Sequence, residues 1–178
     1  GHDRPILARA DDSVMAVIDG APAFLRRARG FAPEPIDLGS DGPCVLALGG
    51  HLKTTVTLTR GREAFVSQHI GDLDDAATRR FYAETLTRMS DMLGVRPEIA
   101  ACDLHPDFYS TRCAETLGLP LARVQHHAAH VAAVAAEHGL DGRALGVAFD
   151  GYGMGDDGGA WGGELMLIEG ARWRRLGH

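Results

Sequence analysis

Three histidines stand where a short apolar segment meets an alanine-rich one: His126, His127 and His130. On a helix, His126 and His130 share one face, with roughly 5–6 Å between their Cβ atoms. That spacing suits a divalent metal, which binds imidazole nitrogens at about 2.0–2.1 Å, although surface histidines at a helix start would show it too. Asp150 follows the next apolar segment and offers a third ligand. We predict a metal site of His126, His130 and Asp150, with His127 packing inside or taking a substrate proton.

Two glycine-rich segments have residue types that bind phosphate through backbone N–H groups. The first does not match the P-loop pattern. The second does not match the dinucleotide-binding pattern, and its alternative is a flexible hairpin turned by Asp157-Gly158. We expect the two segments to face one cleft, which is a stronger signal than either alone. The predicted nucleotide- or phosphate-binding residues are Gly49, Gly50, Lys53, Gly151, Gly153 and Gly155.

A third polar segment, Asp103-Leu104-His105-Pro106, directly follows a predicted strand. Ligands of open α/β sheets sit outside the carboxyl ends of strands, which makes Asp103 and His105 candidate catalytic residues together with His127. The alternative is a turn that Asp103 caps before Pro106. Asp72, further upstream, is expected to be a helix N-cap.

Hydrophobic periodicity predicts the elements that position these residues. Apolar spacing predicts helices near 74–93, 109–117 and 126–138, each followed by a glycine. Short β-rich segments predict strands at 44–48, 53–59, 63–68, 99–102, 121–125, 145–149 and 161–168, with a turn at Arg60-Gly61. The order predicts an α/β fold, a mixed sheet with helices on its faces. It is the order of the first lobe of an actin–hexokinase-type (ribonuclease H-like) fold, with a second lobe begun.

The first 36 residues carry a different pattern. Asp19-Gly20 separates two apolar segments and predicts a hairpin. A hairpin alone is not stable in water, so residues 1–36 look like the end of something larger. Prolines and glycines then predict a linker near 36–43.

Bulk composition excludes several classes. The 178 residues carry a net charge of −6, which is no basic footprint for nucleic acid. We expect no membrane span and no signal peptide, because apolar segments stay short. The three cysteines form no C-x-x-C pair, and free thiols favour a cytoplasmic location.

A set of motifs resembles one family, the HypF carbamoyltransferases of [NiFe]-hydrogenase maturation. The motifs occur in the family's order over nearly the whole chain and are highly specific as a set. They are His2-Asp3-Arg4-Pro5-Ile6, Ala10 to Val14, Phe24 to Gly30, Leu48 to Lys53, Ser67 to Leu73, Asp103 to Pro106, Val124 to His127 with His130, and Asp150-Gly151 through Trp161 to Glu164.

The resemblance implies a domain order and a reaction. It assigns residues 1–36 to the end of a YrdC-like domain, 37–43 to a linker, and 44–178 to the first half of a Kae/TsaD-like domain. Carbamoyl phosphate and ATP would give a carbamoyl adenylate, and the carbamoyl group would pass to the C-terminal cysteine of HypE. That group later becomes the cyanide ligands of the hydrogenase. By motif, His126 and His130 resemble the ligands of a divalent metal, zinc or iron, with Asp150 beside them.

The chain also departs from the family. Ala128 stands where members commonly have a further histidine, although the pair four residues apart is kept. Most of the YrdC-like domain and the rest of the second lobe are absent, so we expect the chain alone to be inactive or very weak. The rivals are an O-carbamoyltransferase of the same fold, a threonylcarbamoyl transferase acting on tRNA, which the acidic charge disfavours, and a non-catalytic fragment that docks a partner.

Overall fold

The computed structural model of the chain describes Asp3 and residues 9–178. Apart from Asp3, the motif from His2 to Ile6 lies outside the described residues. The helices are α1 (Ala76–Leu93), α2 (Tyr109–Thr116) and α3 (His126–Glu137). The strands are β1 (Val14–Ile18), β2 (Ala21–Arg26), β3 (Pro35–Gly42), β4 (Val45–Ala47), β5 (Thr57–Val66), β6 (Ile99–Asp103), β7 (Leu121–Val124), β8 (Arg143–Ala148), β9 (Gly153–Met154), β10 (Ala160–Trp161), β11 (Glu164–Glu169) and β12 (Arg172–Gly177).

The predicted hairpin near the start is confirmed. Strands β1 and β2 pair antiparallel around Asp19-Gly20, with Ile18 opposite Ala21. Asp19 has φ 51° and Gly20 has φ 79°, the positive values that a two-residue hairpin turn requires. These strands form a two-stranded sheet of their own.

A five-stranded mixed sheet positions most of the candidate residues, as the element order predicts. Its strand order is β3-β5-β4-β6-β7, in which β4, β6 and β7 run parallel and β5 runs antiparallel to both its neighbours. Apolar residues of β4 and β5, including Leu46 and Leu58, pack with Phe81, Tyr82 and Met89 of α1. The main core therefore lies between this sheet and its helices.

The boundaries of α1 show how local residues set an element. The carboxylate of Asp75 accepts a hydrogen bond from the backbone N–H of Thr78 at 2.7 Å and caps the first turn. Gly94 ends the helix in the left-handed conformation at φ 64°, and its N–H donates to the carbonyl of Ser90. The predicted cap at Asp72 is wrong, because its carboxylate instead accepts from the N–H of Asp74 at 2.9 Å.

Two local predictions near the start of the sheet are also wrong. Most of the span 36–43, predicted as a linker, is strand β3. Because β3 pairs with the second half of β5, the chain does not fold back at Arg60-Gly61, and β5 runs through that dipeptide as one strand. Gly61 keeps a positive φ of 60° opposite Gly42, at an irregularity of the register. The assignment of 1–36 to a separate domain stays a prediction.

A second sheet follows, with strand order β12-β11-β8. Helix α3 packs on it through Val131, which contacts Ala148 and Ile168. The segment 161–168, predicted as one strand, divides into β10 and β11 because Gly163 takes a φ of 73° between them. The short strands β10 and β9 pair antiparallel, with Trp161 opposite Gly153.

Candidate functional site

Three parallel strands bring their carboxyl ends to one edge of the five-stranded sheet. β4 leads toward Gly49-Gly50, β6 ends at Asp103, and β7 leads into α3 at His126. Asp150 follows β8 of the second sheet. Ligands of open α/β sheets bind outside this edge, so the candidate residues converge where the fold predicts a site.

The structure brings together the three residues predicted as metal ligands. His130 Nε2 lies 3.2 Å from His126 Nε2 and 3.6 Å from Asp150 Oδ2. His126 Nε2 lies 2.7 Å from Asp150 Oδ2. Ligand atoms bound at about 2.0–2.1 Å in tetrahedral geometry stand ~3.3 Å apart, close to two of these separations. The donor set therefore fits one divalent cation.

Asp103 contacts the other nitrogen of His126. Its Oδ2 lies 2.5 Å from His126 Nδ1, while its Oδ1 accepts from the backbone N–H of His105 at 2.8 Å. The hydrogen bond to Asp103 raises the pKa of His126 above its ordinary value. Burial opposes ionisation of Asp103, but hydrogen bonds from His126 and His105 outweigh it and lower the pKa of that carboxyl. Asp103 thus both forms the predicted turn and orients a candidate ligand.

The hydrogen bond between His126 and Asp103 determines which nitrogen of His126 is free to bind a cation. An imidazole that binds a cation is neutral and carries one N–H, which in His126 is the Nδ1–H that donates to Asp103. The lone pair of His126 Nε2 then faces Asp150 Oδ2, which is buried and accepts no hydrogen bond within the described part of the chain. A carboxylate facing the lone pair of His126 is repulsive unless a cation or a proton lies between them. An imidazole held by a carboxylate on its far side is also typical of metal sites.

His127 is fully buried beside the ligand cluster. Its Nδ1 lies 3.1 Å from the side-chain nitrogen of Gln125, and its Nε2 lies 4.0 Å from Asp150 Oδ2. Burial lowers the pKa of His127 below its ordinary value, which favours the neutral ring. Of the two sequence-based alternatives for His127, the structure shows the packing; the proton-accepting role stays a prediction.

His105 belongs to a row of aromatic rings beside the ligand cluster. Its ring stacks on Phe108 with centroids 4.4 Å apart, and Phe108 stacks on His51 at 5.2 Å. Tyr152 lies edge-on to His105 at 6.4 Å. The row connects the first glycine segment, through His51, with the second, through Tyr152. His105 Nδ1 also accepts from the backbone N–H of Asp107 at 3.2 Å.

In the first glycine segment, Gly49 has no room for a side chain. A side chain at Gly49 would put its Cβ 2.2 Å from the carbonyl oxygen of Thr55, and the φ of 68° independently favours glycine. The carbonyl of Gly50 accepts from the hydroxyl of Thr54 at 2.8 Å and from that of Ser110 at 3.3 Å. The side chain of Lys53 is exposed. A Cβ at Gly50 would meet open space.

The second glycine segment mixes close packing with open space. A Cβ at Gly153 would lie 2.6 Å from His127, and one at Gly155 would lie 2.2 Å from Trp161. These two glycines are therefore explained by packing whether or not they bind phosphate. Gly151 differs, because a Cβ there would meet nothing within 4 Å. The phosphate-binding role of all three stays a prediction.

A buried ion pair beneath this segment was missed by the sequence analysis. The fully buried Glu164 accepts from Arg175 at 2.6 and 2.8 Å and from the backbone N–H of Gly162 at 3.0 Å. The next residue, Gly163, donates its N–H to the carbonyl of Asp150 at 3.0 Å. The pair therefore anchors backbone that contacts a candidate ligand. The motif through Glu164 is visible in the sequence, but nothing in it points to Arg175.

His51, Asp72 and Asp74 also gather, at the start of α1. His51 Nε2 lies 3.0 Å from Asp74 Oδ1, whose side chain is 75% exposed. His51 Nδ1 accepts from the backbone N–H of Tyr109 at 3.4 Å, so the other ring nitrogen donates to the exposed Asp74 carboxylate in an ordinary surface hydrogen bond. In the ranges that the structure describes, no helix has the length and apolar character to span a membrane.

The mixed sheet, the second sheet and the histidine–carboxylate cluster at their junction define a Kae1-like domain. The chain belongs to the HypF carbamoyltransferase family: the model for the HypF Kae1-like domain matches residues 40–137. A second model, for the second subdomain of the carbamoyltransferase Kae1-like domain, matches residues 146–178. The resemblance and the fold predicted from the sequence are both confirmed.

Relatives and solved structures agree with this assignment. The chain is 62% identical over 176 residues to the carbamoyltransferase HypF of Rhizobium leguminosarum bv. viciae, covering 99% of this chain and 23% of that protein. It superposes on full-length HypF in a phosphate- and nucleotide-bound form with TM-score 0.93 and 43% identity, covering 98% of this chain and 28% of the other. For HypF of T. kodakarensis the TM-score is 0.90 at 37% identity, covering 99% and 24%. The chain therefore spans about a quarter of the length of such relatives.

Proposed function

We propose that His126, His130 and Asp150 hold one divalent cation, zinc or iron, in the carbamoyl-transfer site of a HypF protein. The observation that carries the proposal is the convergence of two imidazole nitrogens and a buried carboxylate oxygen. Imidazole and carboxylate ligands suit either metal. When bound, the cation would polarise the carbamoyl carbonyl as a Lewis acid.

We further propose that this domain uses a carbamoyl adenylate made from carbamoyl phosphate and ATP. In the transfer step a cysteine sulfur attacks the carbamoyl carbon and forms a C–S bond. The C–O bond to the adenylate phosphate breaks, AMP leaves, and the thiol proton is lost to solvent. The acceptor is the C-terminal cysteine of HypE, and the product serves synthesis of the cyanide ligands of [NiFe]-hydrogenase. Three free cysteines support a reducing, cytoplasmic setting for this chemistry.

The chain's own residues would prepare the site in two ways. Asp103 holds His126 so that its Nε2 lone pair faces the cation position. The two glycine segments, joined by the row of rings from His51 to Tyr152, flank the same edge of the sheet and would receive the adenylate phosphate. One solved relative that the chain matches is described as phosphate- and nucleotide-bound, which supports nucleotide use.

A chimera tests the proposal in a complete protein. The chain replaces the corresponding 176-residue segment of the Rhizobium relative, with which it is 62% identical. Purified chimera is mixed with carbamoyl phosphate, ATP and HypE, and a gain of one carbamoyl group on the HypE C-terminal cysteine is followed by mass spectrometry. We expect transfer by the chimera and its loss in His126→Ala and His130→Ala chimeras, together with loss of bound metal.

One control and two contrary outcomes make the result decisive. His138→Ala removes a histidine at the far end of α3, outside the cluster, and should change neither transfer nor metal content. A folded chimera that transfers normally while both ligand variants retain full metal content would refute the proposed centre. Carbamoyl transfer to a small hydroxyl compound instead of HypE would indicate the O-carbamoyltransferase alternative.

A further inference from the structure

The orientation of one buried amide fixes the proton on a neighbouring histidine. Gln125 is 2% exposed and caps α3, with its Oε1 accepting from the backbone N–H of Ala128 at 2.8 Å. That contact identifies the other amide atom as the nitrogen, because an N–H must meet an acceptor. The nitrogen in turn lies 3.2 Å from the carbonyl oxygen of Met154, a second acceptor. Two independent partners therefore agree on the amide orientation.

The same amide nitrogen lies 3.1 Å from Nδ1 of His127. An amide NH₂ only donates, so His127 Nδ1 must accept and cannot carry a proton. The proton of the neutral ring then sits on Nε2. His127 is fully buried, which favours the neutral ring over the charged one. The contact with Gln125 thereby gives the remaining N–H of the His127 ring, at Nε2, one fixed direction.

That direction is toward the candidate metal ligand. His127 Nε2 and Asp150 Oδ2 lie 4.0 Å apart, and both are buried atoms without a hydrogen-bond partner in the described residues. A hydrogen bond of this kind spans about 2.7–3.2 Å, so a shift of roughly 1 Å closes it. Gly153 covers the ring, since a Cβ there would lie 2.6 Å from His127 Cε1. The covered Nε2–H therefore faces Asp150 and not solvent.

We infer that His127 is a positioning residue: its Nε2–H, fixed by Gln125, donates to Asp150 and aims that carboxylate at the cation. The inference deepens the proposed function and rests on it for the cation. A carboxylate oxygen has two lone pairs, of which one faces the imidazoles of His126 and His130 and the other is free for His127. This role differs from the catalytic role predicted for His127 from the sequence, since an Nε2–H cannot take a proton at that atom.

The first experiment reads the tautomer without any metal. Long-range ¹H–¹⁵N correlation spectra of the metal-free chain, with His127 assigned by its loss in His127→Gln, distinguish Nε2–H from Nδ1–H. We expect Nε2–H in the unsubstituted chain. In Gln125→Glu the carboxylate keeps the cap but places an acceptor at Nδ1, so we expect a proton to appear there. Gln68→Glu adds the same charge elsewhere and should leave His127 unchanged.

The second experiment measures zinc affinity by competition with a chelator. His127→Leu removes the donor and should weaken binding by about 10–100-fold, as for other partners of metal ligands. His127→Gln restores an N–H of similar reach and should recover most of that loss. Circular dichroism and thermal melting establish whether each variant is folded. If the Leu variant is not folded, the Gln variant is compared with the unsubstituted chain instead.

The outcomes separate this inference from the proposed function. Nδ1–H in the unsubstituted chain, an unchanged proton position in Gln125→Glu, or equal zinc affinity in the Leu and Gln variants would each overturn the positioning role. A chain that binds no zinc but shows the Nε2–H tautomer would overturn the metal centre, and therefore also the role of His127 in positioning a metal ligand. The hydrogen bond from Gln125 to His127 would still be established.

Discussion

The Oδ2 atom of Asp103 lies 2.5 Å from Nδ1 of His126, so a strand end and a helix start are joined by one hydrogen bond. Asp103 closes β6 and His126 opens α3, and the two residues are brought together because β6 and β7 pair in parallel, with Asp103 opposite Val124. The bond fixes which imidazole nitrogen is free. Two of the predictions below, those for Asp103 and Gly153, depend on this corner of the molecule.

Replacing Asp103 by Asn should weaken metal binding. The Asp103 carboxylate accepts from two donors, the ring of His126 and the backbone N–H of His105. Asn has one acceptor oxygen for these two donors, so one of them faces an NH₂ group. We expect zinc affinity, measured by chelator competition, to fall by about 10–100-fold. Asp107→Asn, which breaks an exposed pair with Arg112, is the matched control, and an equal loss there would contradict this account.

Two glycines allow the phosphate prediction to be tested without disturbing the fold. A Cβ at Gly50 or Gly151 would meet nothing within 4 Å, and neither residue has a positive φ. We expect Gly50→Ala and Gly151→Ala chimeras to melt normally but to bind ATP about tenfold more weakly, ~1.4 kcal/mol, because backbone N–H groups near a phosphate leave no room for a methyl group. Isothermal titration calorimetry measures this, and unchanged affinity in both variants would remove these segments from the nucleotide site.

Gly153→Ala, unlike Gly50→Ala and Gly151→Ala, should disturb the packing around the metal ligands. Its Cβ would lie 2.6 Å from His127 Cε1 and 3.0 Å from His126 Cβ, so the side chains on both sides must shift. We expect the metal affinity to fall, as seen by chelator competition, with a lower melting temperature. Gly151→Ala, two residues away, is the control for metal binding, and it should leave zinc affinity unchanged. Normal zinc binding by Gly153→Ala would show that the cluster tolerates a displaced His127.

The sequence was most informative where a signal is local. The helical spacing of His126 and His130, and the carboxylate of Asp150 at the end of an apolar segment, were enough to predict residues that the structure brings within 4.8 Å of one another. Likewise, Gly94 ends α1 where the periodicity stops. Such features depend on a few neighbouring residues, so the sequence contains them directly.

Pairing between distant segments could not be predicted from the sequence. Strand β3 looks like a linker by composition, and only its pairing of Pro35 with Phe65 makes it part of the sheet. Glu164 meets Arg175 because Arg175 lies opposite Met166 after a register shift in the β11–β12 hairpin, which places both side chains on one face. The contact of Gln125 with the Met154 carbonyl similarly depends on how the second glycine segment folds over α3.

Gly146 should be sensitive to the smallest side chain. A Cβ there would lie 2.1 Å from Cγ1 of Val131, at the contact between β8 and α3. We expect Gly146→Ala to lower the free energy of unfolding by ~1–3 kcal/mol, the usual cost of overpacking, measured by urea denaturation. Gly177→Ala, also in a strand but with open space around it, is the control. Adding Val131→Ala to Gly146→Ala should recover part of the loss, and additive losses would show that the two residues do not interact.

The buried pair of Glu164 and Arg175 should make stability depend on acid. Hydrogen bonds from Arg175, opposed by burial and aided by the Gly162 N–H, lower the pKa of Glu164 below its ordinary value. A carboxyl with a lowered folded-state pKa contributes stability that is fully present above the unfolded-state pKa of about 4.3 and is lost as pH falls through the folded-state pKa. The melting temperature should therefore fall as the pH is lowered from about 5 toward 3, and less steeply in Glu164→Gln.

Glu169→Gln supplies the control for that comparison. Glu169 lies on the same strand and pairs with Arg143 at 3.3 Å, but its side chain is 58% exposed, so solvent weakens the interaction. Its variant should keep the acid dependence of the unsubstituted chain. At neutral pH, Glu164→Gln should be less stable than Glu169→Gln, since an amide cannot accept both hydrogen bonds from the Arg175 guanidinium and leaves that cation without its counter-charge. Equal acid dependence in the two variants would place the acid-sensitive group elsewhere in the molecule.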